Sequence, residues 1–171
     1  MNDLFLPLRV LHVLLGAAWL GAAVFNAFFL MPAIQDVGPD GGKVVMALMR
    51  RKFVTYVSSI AGLTVLTGLY LYWHLTNGFD PVLSSTRSAM VFGTGGVLGF
   101  IASILAMSGV TRSMKGAMKL TAQAGSTAVA SEREALMVRA AALRVRARKF
   151  ATIVAFLLII TIMLMAAGHY V

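Results

Sequence analysis

The chain has 171 residues, of which 59% are apolar and only 12% charged, and its mean hydropathy is +0.85. A soluble domain carries roughly 45–50% apolar and about 25% charged residues. This chain therefore lacks the polar surface to dissolve as a monomer, which excludes an ordinary soluble enzyme, a disordered regulator and a secreted disulfide scaffold. Its 15 Lys and Arg against 6 Asp and Glu leave a net charge of +9, and there is no cysteine. That removes disulfides, iron–sulfur clusters, zinc–thiolate centres and thiol catalysis.

A membrane helix needs about 20 mainly apolar residues. Four segments qualify: about 7–31, 53–74, 88–110 and 150–170. Pro7 suits a helix start, where its missing N–H costs nothing, and Pro32 is expected to end the first span. That span is too long for a cleaved signal and carries polar groups, so it is expected to belong to the mature structure. The fold class expected is all-α, an integral membrane four-helix bundle forming one domain over 1–171.

Orientation follows from the basic residues. Lys43, Arg50, Arg51 and Lys52 lie between spans one and two. Arg112, Lys115, Lys119, Arg133, Arg139, Arg144, Arg146, Arg148 and Lys149 lie between spans three and four, which leaves only Arg9 and Arg87 for the other side. The positive-inside rule then puts both termini outside and both basic loops in the cytoplasm. This placement assigns the charge to a lipid bilayer as partner rather than to nucleic acid, for which no motif is present.

The first loop holds a turn cluster over 37–42, followed by a helical pattern from Val44 to Met49 that runs into Arg50. The second span is expected to begin in the cytoplasm as a longer helix. In the segment 111–149, Gly125, Ser126 and Thr127 break the pattern, and Ser131 with Glu134 matches a capping box. From Glu132 no breaker occurs until Gly168, so one helix of roughly 35–40 residues is expected, a cytoplasmic extension running into the fourth span. Two helical hairpins are visible, without convincing repetition between them.

Span one carries a polar stripe. Arg9, His12, Gly16, Trp19, Ala23 and Asn26 recur at steps of three and four, one face of a helix. Leu, Val and Phe fill much of the rest, so this face is expected to point into the bundle. Span two offers Thr64, Thr67 and His74 with Tyr70 beside them. Span three has Gly95, Gly99 and Ser103, a small-residue row that favours close helix packing. Span four has Thr161, Met165 and His169.

The three histidines are the main candidates for chemistry, since ionisable groups within a membrane are costly. His12 lies one turn inside Arg9, while His74 and His169 end their spans at the outer face. His74 also belongs to an aromatic belt with Tyr70, Tyr72 and Trp73, and His169 caps a terminus. Imidazole ligates haem iron and copper, and bundle cores build such sites. For haem b the expected residues are His12 as axial ligand, His169 or His74 as the second, Arg9 for a propionate, and Trp19 and Tyr70 bordering the ring. For copper they are His12, His74, His169 and Met165.

Leu11-His12-Val13, Ala18-Trp19-Leu20-Gly21, Pro32, Met49-Arg50-Arg51-Lys52-Phe53 and Leu66-Thr67-Gly68-Leu69 resemble the membrane proteins of the copper-resistance D type. They are also similar to the bacterial membrane protoporphyrinogen oxidase of the HemJ type. The resemblance covers about residues 8–75. It implies a bacterial inner-membrane location. On the oxidase side it implies haem b at His12; on the copper-resistance side, copper handling. The oxidase group's third-helix lysine has no counterpart between Ser88 and Val110, and no dense methionine motif supports the copper side.

The function expected is haem b binding near the outer face, in electron transfer or redox chemistry on a tetrapyrrole or quinone. The alternatives are copper handling and a cofactor-free subunit of a larger membrane complex or homo-oligomer. Any enzyme would be an oxidoreductase. Hydrolysis is not expected, because Asp3, Asp36, Asp40, Asp80, Glu132 and Glu134 all fall outside the spans.

Overall fold

The computed structural model describes residues 4–171, and every regular element among them is helical. Five helices form the body: α1 (Phe5–Asp36), α2 (Gly41–Arg50), α3 (Phe53–Leu75), α4 (Arg87–Ser126) and α5 (Ala130–Ala167). A 3-10 turn at Gly38–Asp40 and a single helical turn at Pro81–Ser84 sit in the connections. All but α2 are long and apolar enough to cross a membrane.

The sequence places its bulk outward. Leu6, Leu66 and Met107 are each about two-thirds exposed, as suits side chains that contact lipid tails. Inside sit small residues and one large anchor: Trp19, Ile60, Ala61, Ala102, Val154 and Leu158 form one buried cluster, and Ala27, Ala151 and Ala155 another. Lipid tails are as apolar as Leu, so burying Leu gains little there. Helices associate instead where small residues let backbones approach.

The four long helices form a ring in the order α1, α3, α4, α5. α1 lies along α3, and α4 along α5 for nearly its whole length, whereas α3 and α4 touch sparingly. The α4–α5 seam depends on small residues. A Cβ on Gly95 would stand 3.1 Å from the Met165 methyl, and one on Gly109 would run into the Phe150 ring. Further along, buried Ser113, Ala117 and Ala124 of α4 and Ala140, Ala147 and Ala151 of α5 recur at steps of four and seven. This stretch of the α4–α5 hairpin carries most of the basic residues. Arg144 donates to Thr121 Oγ1 at 2.9 Å and Arg148 to Gln35 Oε1 at 2.8 Å. At the opposite end Thr86 caps α4 and the Ser88 hydroxyl bonds the Gly168 carbonyl.

Three local expectations are corrected. Pro32 does not end the first helix, which continues to Asp36. A π-turn at Asn26–Leu30 precedes it, and the Met31 N–H reaches back five residues to the Asn26 carbonyl. That shift leaves Pro32 in the first turn of the next α-helical segment, where a missing N–H is tolerated. The capping box at Ser131 and Glu134 does not form, because the helix opens earlier, at Ala130. Instead, Thr127 Oγ1 donates to Glu132 Oε2 at 3.0 Å, and Arg133 donates to the Thr127 carbonyl. The second span does not begin as an extended cytoplasmic helix: α2 ends at Arg50, and Lys52 takes a left-handed conformation (φ 55°) that turns the chain into α3.

A second π-turn, Ala106–Thr111, interrupts α4. Both π-turns lie about 20 residues in from the start of their helix, on neighbouring flanks of one cavity described below.

Candidate functional site

His12 sits half-buried on the α1–α3 seam. Its Nδ1 lies 3.0 Å from the Thr64 carbonyl oxygen and 3.1 Å from Thr67 Oγ1. A carbonyl oxygen only accepts, so the proton is on Nδ1 and His12 is the donor. The Thr67 hydroxyl spends its own proton on the Leu63 carbonyl at 2.7 Å, leaving its oxygen to accept from the imidazole. The neutral ring then carries its lone pair on Nε2, free for a ligand.

α3 shapes the seat for this ring. A Cβ at Gly68 would stand 2.8 Å from His12 Cε1 and 3.3 Å from Nδ1. Only glycine leaves room for the imidazole to lie flat against the α3 backbone. One turn away, Gly16 of α1 faces the Thr64 methyl at ordinary contact distance. The stripe on α1 therefore does face its neighbours: Arg9, His12, Gly16 and Trp19 all meet side chains or backbone of other helices.

The remaining candidates form two further groups at the same end. Arg9 donates to His169 Nε2 at 2.7 Å, and the His169 ring meets Phe92 edge-on, with centroids 5.0 Å apart. His74 is exposed, and its ring makes no hydrogen bond among the described residues. It stacks parallel to Tyr70 at 6.5 Å and tilts against Phe5 at 5.0 Å. Met165 turns its methyl toward Gly95 of α4. Among the described residues, no three His, Asp or Glu side chains gather around a point that one metal ion would share. The structure thus pairs Arg9 with His169 and His74 with Tyr70, and keeps His12 with two threonines.

Trp19 stands apart from all three groups. It lies seven residues beyond His12 on the stripe, about 10 Å deeper by helix rise. It is only 2% exposed, packed into the main core cluster. With Ala23 and Asn26 it lines a cavity of about 350 Å³ between α1, the first half of α3, α4 around its π-turn, and α5. Sequence reasoning reached His12 and Trp19 by periodicity. It did not reach the Thr64 carbonyl, the role of Gly68 or the cavity, all of which depend on which helices are neighbours.

No family model, no curated protein and no solved structure matches this chain.

Proposed function

We propose that this chain is a four-span protein of the bacterial inner membrane that binds haem b through His12 and acts in electron transfer or redox chemistry on a tetrapyrrole or quinone. Both termini lie on the outer side in this reading, because two basic loops between the helices hold all but two of the Lys and Arg residues.

The supporting observation is the tautomer of His12. Its Nδ1–H is held by a backbone carbonyl and a threonine oxygen, and an imidazole held this way has its tautomer and ring plane fixed, with Nε2 left to face a metal. Haem b, when bound, supplies a one-electron couple at its iron. The chain's own residues supply orientation and charge. Thr64 and Thr67 set the ring plane, and Gly68 keeps the ring against α3. Arg9, one turn outward, has further guanidinium N–H groups for a propionate beyond the one on His169. As a second ligand His74, whose ring makes no hydrogen bond among the described residues, would give up less than His169, whose Nε2 already accepts from Arg9. The same guanidinium sets positive charge where a copper ion on His169 and Met165 would have to bind, which disfavours copper handling.

A cofactor-free subunit of a larger membrane complex is the second reading. It is favoured by the same hydrogen bonds, which satisfy His12 without any ligand. The absorption spectrum of the purified protein decides between them. Haem gives a Soret band that shifts on dithionite reduction and is lost in His12→Ala. A colourless protein, after expression with haem precursor in excess, refutes the haem reading.

A further inference from the structure

The cavity beside Trp19 takes no part in the His12 site. Most of its lining is apolar, from Ala22, Val57, Ala61, Val65, Phe100 and Val154 among others. A few polar groups converge in it, those of Asn26, Ser58, Ser103 and Thr111. The Ser103 hydroxyl is engaged with the Phe100 carbonyl at 2.7 Å. The Asn26 amide, the Thr111 hydroxyl and the Trp19 indole N–H have no hydrogen-bond partner among the described residues. None of these three is a sealed polar atom among the described residues, and all three residues line the cavity. At membrane depth a polar group without a partner costs free energy, and three of them around one space point to a ligand with polar atoms.

The surroundings say how such a ligand enters. α3 and α4 touch sparingly, and Gly62, Leu66, Phe100 and Met107 along this gap are exposed. The cavity therefore opens sideways, toward lipid. π-turns in α1 and α4 flank it. Such turns concentrate at functional sites, because the extra residue re-aims side chains at the cost of regular hydrogen bonding. Here the turn in α1 begins at Asn26, and the turn in α4 supplies Ala106, Met107, Val110 and Thr111 to the lining.

We propose that this cavity binds the head ring of an isoprenoid quinone, with the tail leaving between α3 and α4. The volume, about 350 Å³, lies at the small end of the roughly 300–1,000 Å³ typical of small-molecule pockets, which suits a single substituted ring. The ring's edge carbonyls would accept from the Asn26 amide and the Trp19 indole N–H, and its faces would meet an almost wholly apolar wall. A lipid acyl chain would leave the Asn26, Thr111 and Trp19 groups unpaired. The site stands independently of the haem reading.

The test uses the full chain carrying Trp73→Phe, so that Trp19 is the sole tryptophan, in phosphatidylcholine nanodiscs. Decylubiquinone is the probe. The expected result is a saturable loss of Trp19 emission. In Asn26→Leu the half-saturating concentration rises about ten-fold, the size of one lost buried hydrogen bond. Gly62 lines the cavity and a Cβ there meets nothing within 4 Å, so Gly62→Leu adds bulk at the mouth without a Cβ clash, and the expected result is loss of the saturable phase with the far-ultraviolet circular dichroism unchanged. Repeating the titration in His12→Ala leaves the quench intact and keeps this result separate from the haem result. Unsaturating quench of equal slope in all variants overturns the proposal. So does equal quench by brominated phosphatidylcholine that decylubiquinone does not relieve.

Discussion

Gly68→Ala is the most incisive test of how the His12 seat is built. The new Cβ would lie 2.8 Å from His12 Cε1 and 3.3 Å from Nδ1, closer than such atoms approach without repulsion, and both belong to a ring wedged between two helices. The imidazole must swing away, which breaks its bonds to the Thr64 carbonyl and Thr67 Oγ1. Overpacking of this kind costs about 1–3 kcal/mol. An interhelical hydrogen bond in a membrane protein adds about 0.6 kcal/mol. Against that, alanine is a better helix former than glycine by at most about 1 kcal/mol. The net loss expected is about 1–2 kcal/mol. In a His12→Ala background the clash and the hydrogen bonds are already gone, so the same substitution becomes neutral or stabilising by at most about 1 kcal/mol, and the coupling between the two sites is about 1–3 kcal/mol. Reversible unfolding in mixed detergent and SDS micelles, followed by far-ultraviolet circular dichroism, measures all four corners of the cycle. Additivity to within about 0.5 kcal/mol, the range expected of independent sites, would refute the seat described here.

Two further outcomes follow from the same packing. Gly109→Ala pushes a Cβ into the Phe150 ring, whereas a Cβ on Gly96 meets nothing within 4 Å; the first substitution should destabilise the α4–α5 pair by more than about 2 kcal/mol and the second should be neutral or slightly stabilising in the same micelle assay. Because the chain has no cysteine of its own, single cysteines at Ser126 and Asn77 report sidedness directly. An impermeant maleimide added to intact cells should label the Asn77 position and spare the Ser126 position, and the reverse pattern would invert the orientation argued from the basic loops.

The spans and the inward stripe of α1 were legible because each is a periodic signal carried by one segment alone. Apolar runs of about 20 residues report helices, and steps of three and four report a face, so Arg9, His12, Gly16 and Trp19 could be placed together. What stayed hidden depended on partners. Nothing in Leu66-Thr67-Gly68-Leu69 says that Gly68 will lie under the ring of His12, because that requires knowing that α1 and α3 are neighbours. The two π-turns were equally invisible: a bond that reaches back five residues instead of four reflects packing around Asn26 and Thr111, not local preference. Pro32 misled for the same reason, since the rule that proline ends a helix presumes an unshifted ladder. The Arg9–His169 bond joins residues 160 positions apart, and although topology placed both at one level, only the ring order of the helices makes them touch.

The length of α5 has a mechanical consequence. Its 38 residues make a rod of roughly 57 Å, about twice the roughly 30 Å hydrocarbon thickness, and no kink interrupts it. A rod of this length tilts as a lever about its middle, with arms of similar reach on either side. A tilt of about 5° would carry the far tip some 2–3 Å one way and the opposite end a comparable distance the other way. At that opposite end the rod is moored to α1 and α4 through His169 and the Gly168 carbonyl, so force applied to its basic end would be felt along its full length.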